Sequence, residues 1–319
     1  MTALGPALGL VRRYAGPLAA IALVLTWSSG FVGAELSRRA GAEPVTLLAW
    51  RFVVLAGLLL LLAAVRRSPL PSWRAWRAWR RQTVLAVLCQ AAYLILVFEG
   101  VDHGVGGGTA ALIAALQPLL VATVAGPLLG ERSTLVMWGG MVLGLTGVVI
   151  VVSGDLGASD APWWAFLLPS AGMLCLATGT VLTRRWRPPE NLLETITMQS
   201  VVTGVLFMAV ALGTGRAAPP ADLGFWRAVA WLVVLASLGG YVMYVFVTGT
   251  QGATVVSTLL YLTPPTTMLW VFVMFGDPVT LTGLAGLVVS GLGVFLVLRS
   301  RATRAARDRA VVRVRSEVG

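Results

Sequence analysis

Apolar residues occur along this chain in long continuous runs, separated by short segments that carry most of the charges. Ten runs are long enough for a helix to cross about 30 Å of hydrocarbon. Because they are continuous rather than alternating, and rich in Leu, Val, Ala and Gly, they predict membrane-spanning helices rather than barrel strands. The predicted spans are 17–36, 44–65, 83–99, 105–129, 134–152, 162–182, 192–212, 229–247, 252–275 and 279–298.

Composition places the chain in a membrane. Apolar residues make up 57% of the sequence and charged residues 12%, whereas a soluble globular protein has about 25% charged residues. The chain therefore has too little polar surface to cover itself in water, and we expect an all-α integral membrane protein. The first run is long and no small-residue cleavage site follows it, so we expect a retained helix and not a signal peptide.

The arginines, which are the only basic residues besides one histidine, predict the orientation. With the N-terminus inside, the cytoplasmic segments carry 19 arginines and the external segments four. Positive charge collects on the cytoplasmic side, so we expect both the N-terminus (1–16) and the basic tail (299–319) to be cytoplasmic, in a multi-pass protein of the cell membrane. Anionic lipid is the expected partner of that face.

The segment Ser72–Arg81, SWRAWRAWRR, interleaves tryptophan with arginine. Such a pattern is found on nucleic-acid-binding surfaces and also where a chain lies against lipid headgroups. Because the arginines lie in short clusters between apolar runs, we favour a cytoplasmic loop with interfacial anchors. An amphipathic surface helix is the alternative, and we expect no nucleic-acid partner.

The two halves of the chain are similar when the sequence is shifted by 146 residues. GAELSRRA (33–40) then falls on GTVLTRRW (179–186), and Pro118 falls on Pro264. The offset predicts two five-helix repeats, 17–152 and 163–298. An odd number of spans forces the second copy to enter the membrane upside down. Inverted repeats are typical of secondary transporters, which bind their substrate between the repeats near the midplane.

The motifs resemble those of the EamA branch of the drug/metabolite transporter superfamily. The resemblance rests on LTWSSGFVGAE in the first span, Trp50–Phe52 in the second and a proline midway along the fourth, together with the GERS turn and the duplicated plan. It implies a transporter of small metabolites across the cytoplasmic membrane, most often an exporter of amino acids or related compounds. In this chain Gly30 stands where many members have Asn in the first-span motif.

Charged side chains within hydrocarbon are costly and usually functional. Arg51 is predicted to lie about 10 Å deep in the second span, while Glu35 and Glu99 end the first and third spans. We expect Arg51 to pair with one of these acids when the outer side is closed, or to bind a substrate carboxylate when it is open. All three are gate or coupling candidates, and a static Arg–Glu tie or a snorkelling arginine is the alternative.

Two prolines and several polar or aromatic residues are candidates for the substrate pathway. Pro118 and Pro264 are predicted helix breaks, and each frees a backbone carbonyl that a cavity can accept. Serine and threonine in such spans often only bond their own helix, and the prolines can be packing devices. The predicted pathway residues are Trp27, Ser28, Arg51, Gln90, Tyr93, Gln117, Thr178, Gln199, Tyr241, Tyr244, Tyr261 and Thr263.

Other chemistry has little support in the sequence. Cys89 and Cys175 are isolated within spans, and His103 is the one histidine, so we expect no metal site and no cofactor. The scattered acids do not favour an intramembrane enzyme. Glycines in the fifth and tenth spans predict scaffold contacts or a homodimer interface. A lipid scramblase or membrane scaffold with the same repeats is the alternative function.

Overall fold

The structure of the protein is a computed structural model that describes residues 4–67, 75–121, 135–158, 161–251, 256, 259–296 and 299. Every regular element in those ranges is helical, as the all-α prediction expects, and none of the described residues forms a strand. Several predicted features lie outside these ranges: most of the loop before Trp76, the end of the fourth span with the GERS turn, and the basic tail beyond Arg299.

Within the described ranges, six helices are long and apolar enough to cross a membrane. Their lengths follow from continuous apolar sequence, and flanking turns end them, as at Gly41 with its positive φ between the first two. The helices are α1 (Leu4–Arg39), α2 (Pro44–Val65), α3 (Trp76–Asp102), α6 (Trp163–Trp186), α7 (Leu192–Gly213) and α8 (Leu223–Gln251).

In the described ranges, the remaining predicted spans correspond to helices whose apolar stretches are shorter. They are α4 (Gly107–Val121), α5 (Leu135–Ala158, apolar over Trp138–Gly154), α9 (Leu260–Phe275) and α10 (Leu281–Leu296). Helix α3 begins at Trp76, seven residues before the predicted start of its span. Residues 76–81 therefore form the first turns of α3, so the predicted loop is wrong for this half of the Trp–Arg segment, and the half is not a separate surface helix either.

The outer faces of the helices carry large exposed apolar side chains, such as Leu61 (62% exposed), Val149 (64%) and Phe295 (57%). In water such a surface would aggregate, but in lipid it is the expected surface. Smaller and polar residues pack inside. One large apolar cluster, which includes Leu47, Phe52 and Phe225, joins helices of both halves of the chain.

Departures from α-helix occur at matching places in the two halves. Helix α3 has a π-helical segment at Val87–Ala92 and α8 has one at Leu232–Gly239. A shift of 146 residues carries the first segment onto 233–238, inside the second. Helix α4 is interrupted by a turn at Ala115–Leu116, and the same shift carries that turn onto the end of the 3₁₀ turn Leu260–Leu262.

Both interruptions come just before the predicted breaks. Pro118 lies two residues after Leu116, and Pro264 lies two residues after Leu262. Because proline has no N–H to donate, the helix cannot continue its regular ladder there. Just before Pro118, the amide of Leu116 donates to the carbonyl of Ile113, three residues back.

Helices α5 and α10 cross through their glycines. A Cβ atom on Gly147 would lie 2.5 Å from the carbonyl oxygen of Gly286, and one on Gly293 would lie 2.5 Å from that of Gly140. Between these contacts the Ser290 hydroxyl donates to the Gly144 carbonyl at 2.9 Å. Small residues here let the two backbones touch. As the residue number rises along α5 from 140 to 147, the contacted residue number falls along α10 from 293 to 286, so the two helices run antiparallel.

Candidate functional site

A cavity of about 270 Å³ lies between helices of both halves. Its volume is close to the lower end of known ligand pockets, about 300–1,000 Å³. Helices α1, α2 and α3 line one part, and α6, α7 and α8 line the other. The predicted pathway residues that it brings together are Trp27, Arg51, Gln90, Tyr93, Gln199 and Tyr241.

Arg51 is the one charged group among the described residues of the cavity lining. It is only 7% exposed, and its Nη2 donates to the Ser237 hydroxyl at 3.2 Å. Its Nε and Nη1 are buried without a hydrogen-bond partner in the described part of the chain, and its guanidinium carbon lies 5.1 Å from the centre of the Phe52 ring. Buried donors of a charged group are normally paired. The guanidinium is therefore free to hold an additional acceptor.

A chain of amides connects the cavity to one end of the bundle. Gln90 Nε2 donates to Gln199 Oε1 at 3.0 Å, and Gln199 Nε2 donates to Gln82 Oε1 at 2.9 Å. Thr203 donates to Gln90 at 3.3 Å. Gln82 is fully buried and lies beyond the cavity, on α3. The chain ties α3 of the first half to α7 of the second.

The amide chain ends in an ion pair at the start of α7. Arg81 Nη2 lies 2.8 Å from Glu190 Oε1, and Gln82 Nε2 donates to Glu190 Oε2 at 3.0 Å. Burial of the Glu190 carboxyl acts to raise its pKa, but the hydrogen bonds from Arg81 and Gln82 act in the opposite direction. The net result is a pKa of Glu190 below its ordinary value.

A second polar cluster lies at the opposite end, where α1 ends. Glu35 is 2% exposed and forms ion pairs with Arg38 and Arg39. Arg39 also reaches Asp277 at 2.7 Å, between α9 and α10. Nearby, Trp50 donates to the carbonyl of Ala217 at 3.0 Å. These contacts again join the two halves of the chain.

The predicted pairing of Arg51 with Glu35 or Glu99 is not formed in this conformation. Among the described residues, Glu35 is paired as above and Glu99 lies 3.9 Å from the His103 ring. Glu99, Asp102 and His103 bring ligand-type atoms within 4.8 Å of one another, and Asp102 and His103 are exposed. Exposed acidic groups of this kind are common without a bound ion.

The other six predicted pathway residues lie outside the cavity lining. Ser28 donates to the carbonyl of Thr263 at 3.4 Å, and Gln117 donates to Thr180 at 2.9 Å, so both tie helices together. Thr178 is exposed and bonds its own helix. Tyr244 packs on Trp27 with ring centres 5.8 Å apart. Tyr261 lies in the 3₁₀ turn that opens α9.

Sequence reasoning missed part of the lining. Ser237 holds Arg51, and Ser200 has a buried hydroxyl without a partner in the described part of the chain. Neither was singled out, because serine in a span commonly bonds its own backbone. The apolar wall, which includes Phe31, Leu55 and Phe98, was missed as well. Its residues are of the same types as those that face lipid.

A family model and several related proteins agree in indicating a transporter family. The chain matches the EamA-like transporter family over residues 14–153 and again over residues 163–299. It is 26% identical to an uncharacterized transporter, YyaM, of Bacillus subtilis over 79% of this chain and 83% of that protein. It is 25% identical to an uncharacterized inner membrane transporter, YedA, of Escherichia coli K12 over 77% of this chain and 78% of that protein.

Two further similarities bear on function and fold. A probable terminal-alkyne amino-acid exporter of Streptantibioticus cattleyicolor is 28% identical over 69% of this chain and 74% of its own. A solved crystal structure, 19% identical in sequence, superposes with a TM-score of 0.61 over 89% of this chain and 97% of the other. At that identity the superposition shows a shared fold alone.

Proposed function

The chain belongs to the EamA-like transporter family, and we propose from this premise that it is a secondary transporter that exports amino acids or related carboxylates. It moves them across the cytoplasmic membrane by alternating access. One relative is named as a probable terminal-alkyne amino-acid exporter, which supports this substrate class. The observation that carries the proposal is the Arg51 guanidinium, buried at the cavity with two nitrogens unpartnered among the described residues.

A carboxylate is the natural partner of that guanidinium. Its two oxygens match two N–H groups of an arginine, and such a paired contact is both strong and directional. Gln90, Gln199 and the two cavity tyrosines add neutral polar groups around the same space. The cavity therefore has one charged anchor and several groups that can orient the rest of a small solute.

Inverted five-helix repeats are the second element of the proposal. The paired π-helical segments and the paired interruptions before Pro118 and Pro264 support the duplication. The α5–α10 crossing supports the inversion. At an offset of 146, Gly144 is equivalent to Ser290, and these two residues contact each other. A twofold axis that passes through an antiparallel pair of equivalent helices lies in the membrane plane, as inverted repeats require.

Alternating access needs a closure on each side of the cavity. The cluster around Glu35 and Asp277 and the chain from Gln90 to Glu190 meet this need, since each joins the first half to the second at opposite ends of the bundle. Rocking one repeat against the other would open one cluster while the other stays formed. In this proposal Glu35 belongs to the outer closure, and the N- and C-termini are cytoplasmic.

The predicted topology is supported by the polar contacts between loops. Arg39 with Asp277, and Glu43 with Arg216, join segments that are both assigned to the outside. Arg81 with Glu190 joins segments that are both assigned to the inside. An ion pair between a segment assigned to the outside and one assigned to the inside would be incompatible with the predicted topology.

The proposal is tested by uptake into inside-out vesicles from a panel of amino acids, nucleosides, sugars and small aromatic amines, with and without a proton gradient. Wild type is compared with Arg51→Ala. Accumulation of carboxylate-bearing solutes that is lost in the variant is expected. Transport of uncharged or cationic solutes only, unaffected by the substitution, would remove Arg51 from the pathway. Lipid movement without any solute transport would favour the scramblase alternative.

A further inference from the structure

The charge balance of the cavity limits the kind of carboxylate that it can hold. Arg51 supplies one positive charge, and the described lining contains no aspartate or glutamate. We propose that the cavity selects solutes with a single net negative charge, such as N-acylated, 2-hydroxy or 2-oxo acids, over free zwitterionic amino acids of the same size. This inference rests on the proposed function and narrows its substrate class.

The positive charge of Arg51 is not compensated by any acid in the described lining. A buried guanidinium without a counter-ion is destabilising in a medium of low dielectric constant, and an anion beside it removes that cost. The two candidate counter-ions from the sequence lie beside other basic groups: Glu35 is paired with Arg38 and Arg39, and Glu99 lies 3.9 Å from His103. A monoanionic solute therefore makes the cavity electrically neutral.

A zwitterion does not achieve the same balance. Its carboxylate can pair with Arg51, but its ammonium group enters the same cavity and leaves the net charge at plus one. The ammonium needs a counter-charge, and the described lining offers it neutral oxygens only, of which Gln90 Oε1 already accepts from Thr203 and Gln199 Oε1 from Gln90. Replacing the ammonium by a hydroxyl, oxo or acylamino group removes both the desolvation cost and the repulsion from the guanidinium.

The other side chains of the lining are mostly apolar and favour a solute that carries an apolar group. Phe31, Phe52, Leu55, Leu94, Val97 and Phe98 face the cavity. Such a wall binds aliphatic or aromatic groups by removing them from water. A solute with one carboxylate and one apolar group therefore matches both parts of the cavity.

The test compares compounds that share a benzyl group and differ in charge, using the purified full-length protein in proteoliposomes. Phenyllactate and N-acetylphenylalanine are monoanions, phenylalanine is a zwitterion, and phenethylamine is a cation. We expect kcat/KM for phenyllactate to exceed that for phenylalanine by about tenfold or more, which is about 1.4 kcal/mol or more. An equal or greater value for phenylalanine overturns the inference while leaving transport intact.

A charge-exchange variant tests the cause. Because Ser237 already contacts Arg51, Ser237→Asp places a carboxylate beside the guanidinium and supplies an internal counter-ion. We expect this variant to lose phenyllactate transport while the ratio of phenylalanine to phenyllactate transport rises by about tenfold or more. Ser237→Asn is the control of matched size without charge, and it should keep the wild-type order of preference.

The outcomes separate the inference from the function on which it rests. If Ser237→Asp is folded, as judged by its elution as a single species, and keeps the wild-type preference, the charge balance does not set selectivity and the inference fails. If neither the benzyl series nor the broader panel is transported by wild type, the proposed function itself fails and the inference falls with it.

Discussion

The contact between Arg51 and Ser237 could not be predicted from the sequence, because a serine in an apolar span gives no indication of which group it contacts. Arg51 itself was predictable, since an arginine within hydrocarbon has a high cost unless it has a role. Gln90 and Gln199 were found for the same reason. Ser28 and Gln117 share that signal but tie helices together instead. A buried polar residue is recognisable from sequence, whereas the direction in which it points is not.

Replacing Arg51 by lysine separates charge from geometry. Lysine keeps the positive charge but loses the planar fork that pairs with both carboxylate oxygens. One charge-assisted hydrogen bond is worth about 1.5–3 kcal/mol, so we expect kcat/KM for a carboxylate substrate to fall by about 10- to 100-fold in Arg51→Lys. Normal transport by Arg51→Lys would show that paired binding by the guanidinium is not required.

Glu190 gives a pH dependence with a defined sign. Its pKa is lowered in the folded protein, so its contribution to stability is present above the ordinary glutamate pKa of about 4.3. The contribution is lost as pH falls through the lowered value. We expect the thermal midpoint of the detergent-purified protein to decrease when the pH is lowered below about 4. In Glu190→Gln, the part of that decrease that comes from Glu190 should be absent.

Glu194→Gln is the matched control for this measurement. Glu194 closes a capping box with Asn191 at the same helix start, and glutamine can make the same capping contact. Because Glu194→Gln leaves the Arg81–Glu190 pair in place, the part of the decrease that Glu190→Gln lacks should still be present in it. A Glu190→Gln profile that also follows wild type would mean that the Arg81–Glu190 pair contributes nothing to the folded state.

At the scale of helices, sequence reasoning located the apolar segments but not their irregularities. The predicted start of α3 was late because Arg77, Arg80 and Arg81 interrupt the apolar run, although the helix itself begins before them, at Trp76. The π-helical segments could not be predicted, because an added residue in a helical turn leaves no mark in a continuous apolar sequence. The interruptions before Pro118 and Pro264 could be, because proline removes a backbone donor.

The α5–α10 crossing provides a test of close packing. Gly147→Ala would place a methyl group against the carbonyl of Gly286, and overpacking of this kind costs about 1–3 kcal/mol. We expect the thermal midpoint to fall by a few degrees. Gly139 lies on the same helix, and a Cβ atom there would have no neighbour within 4 Å. Gly139→Ala should therefore leave the thermal midpoint unchanged or raise it slightly. Equal effects of the two substitutions would contradict the crossing.

At the scale of the whole molecule, the repeat offset predicts that equivalent loops lie on opposite sides of the membrane. Arg77→Cys, at the start of α3, and Ala218→Cys, in the loop before α8, are introduced separately into a chain with Cys89→Ser and Cys175→Ser, so that each label marks the N-terminal end of one of two equivalent helices. A membrane-impermeant thiol reagent applied outside should label position 218 and not position 77 in intact cells. Labelling of both positions from one side would contradict the inverted architecture.

Alternating access around the cavity is tested most directly at Cys89, a native residue of the lining. With Cys175→Ser, Cys89 is the only thiol of the chain, and an impermeant reagent can be applied to right-side-out and inside-out vesicles in turn. We predict that Cys89 reacts from both sides and that phenyllactate slows both reactions. Reaction from one side only, whatever solute or gradient is present, would contradict alternating access.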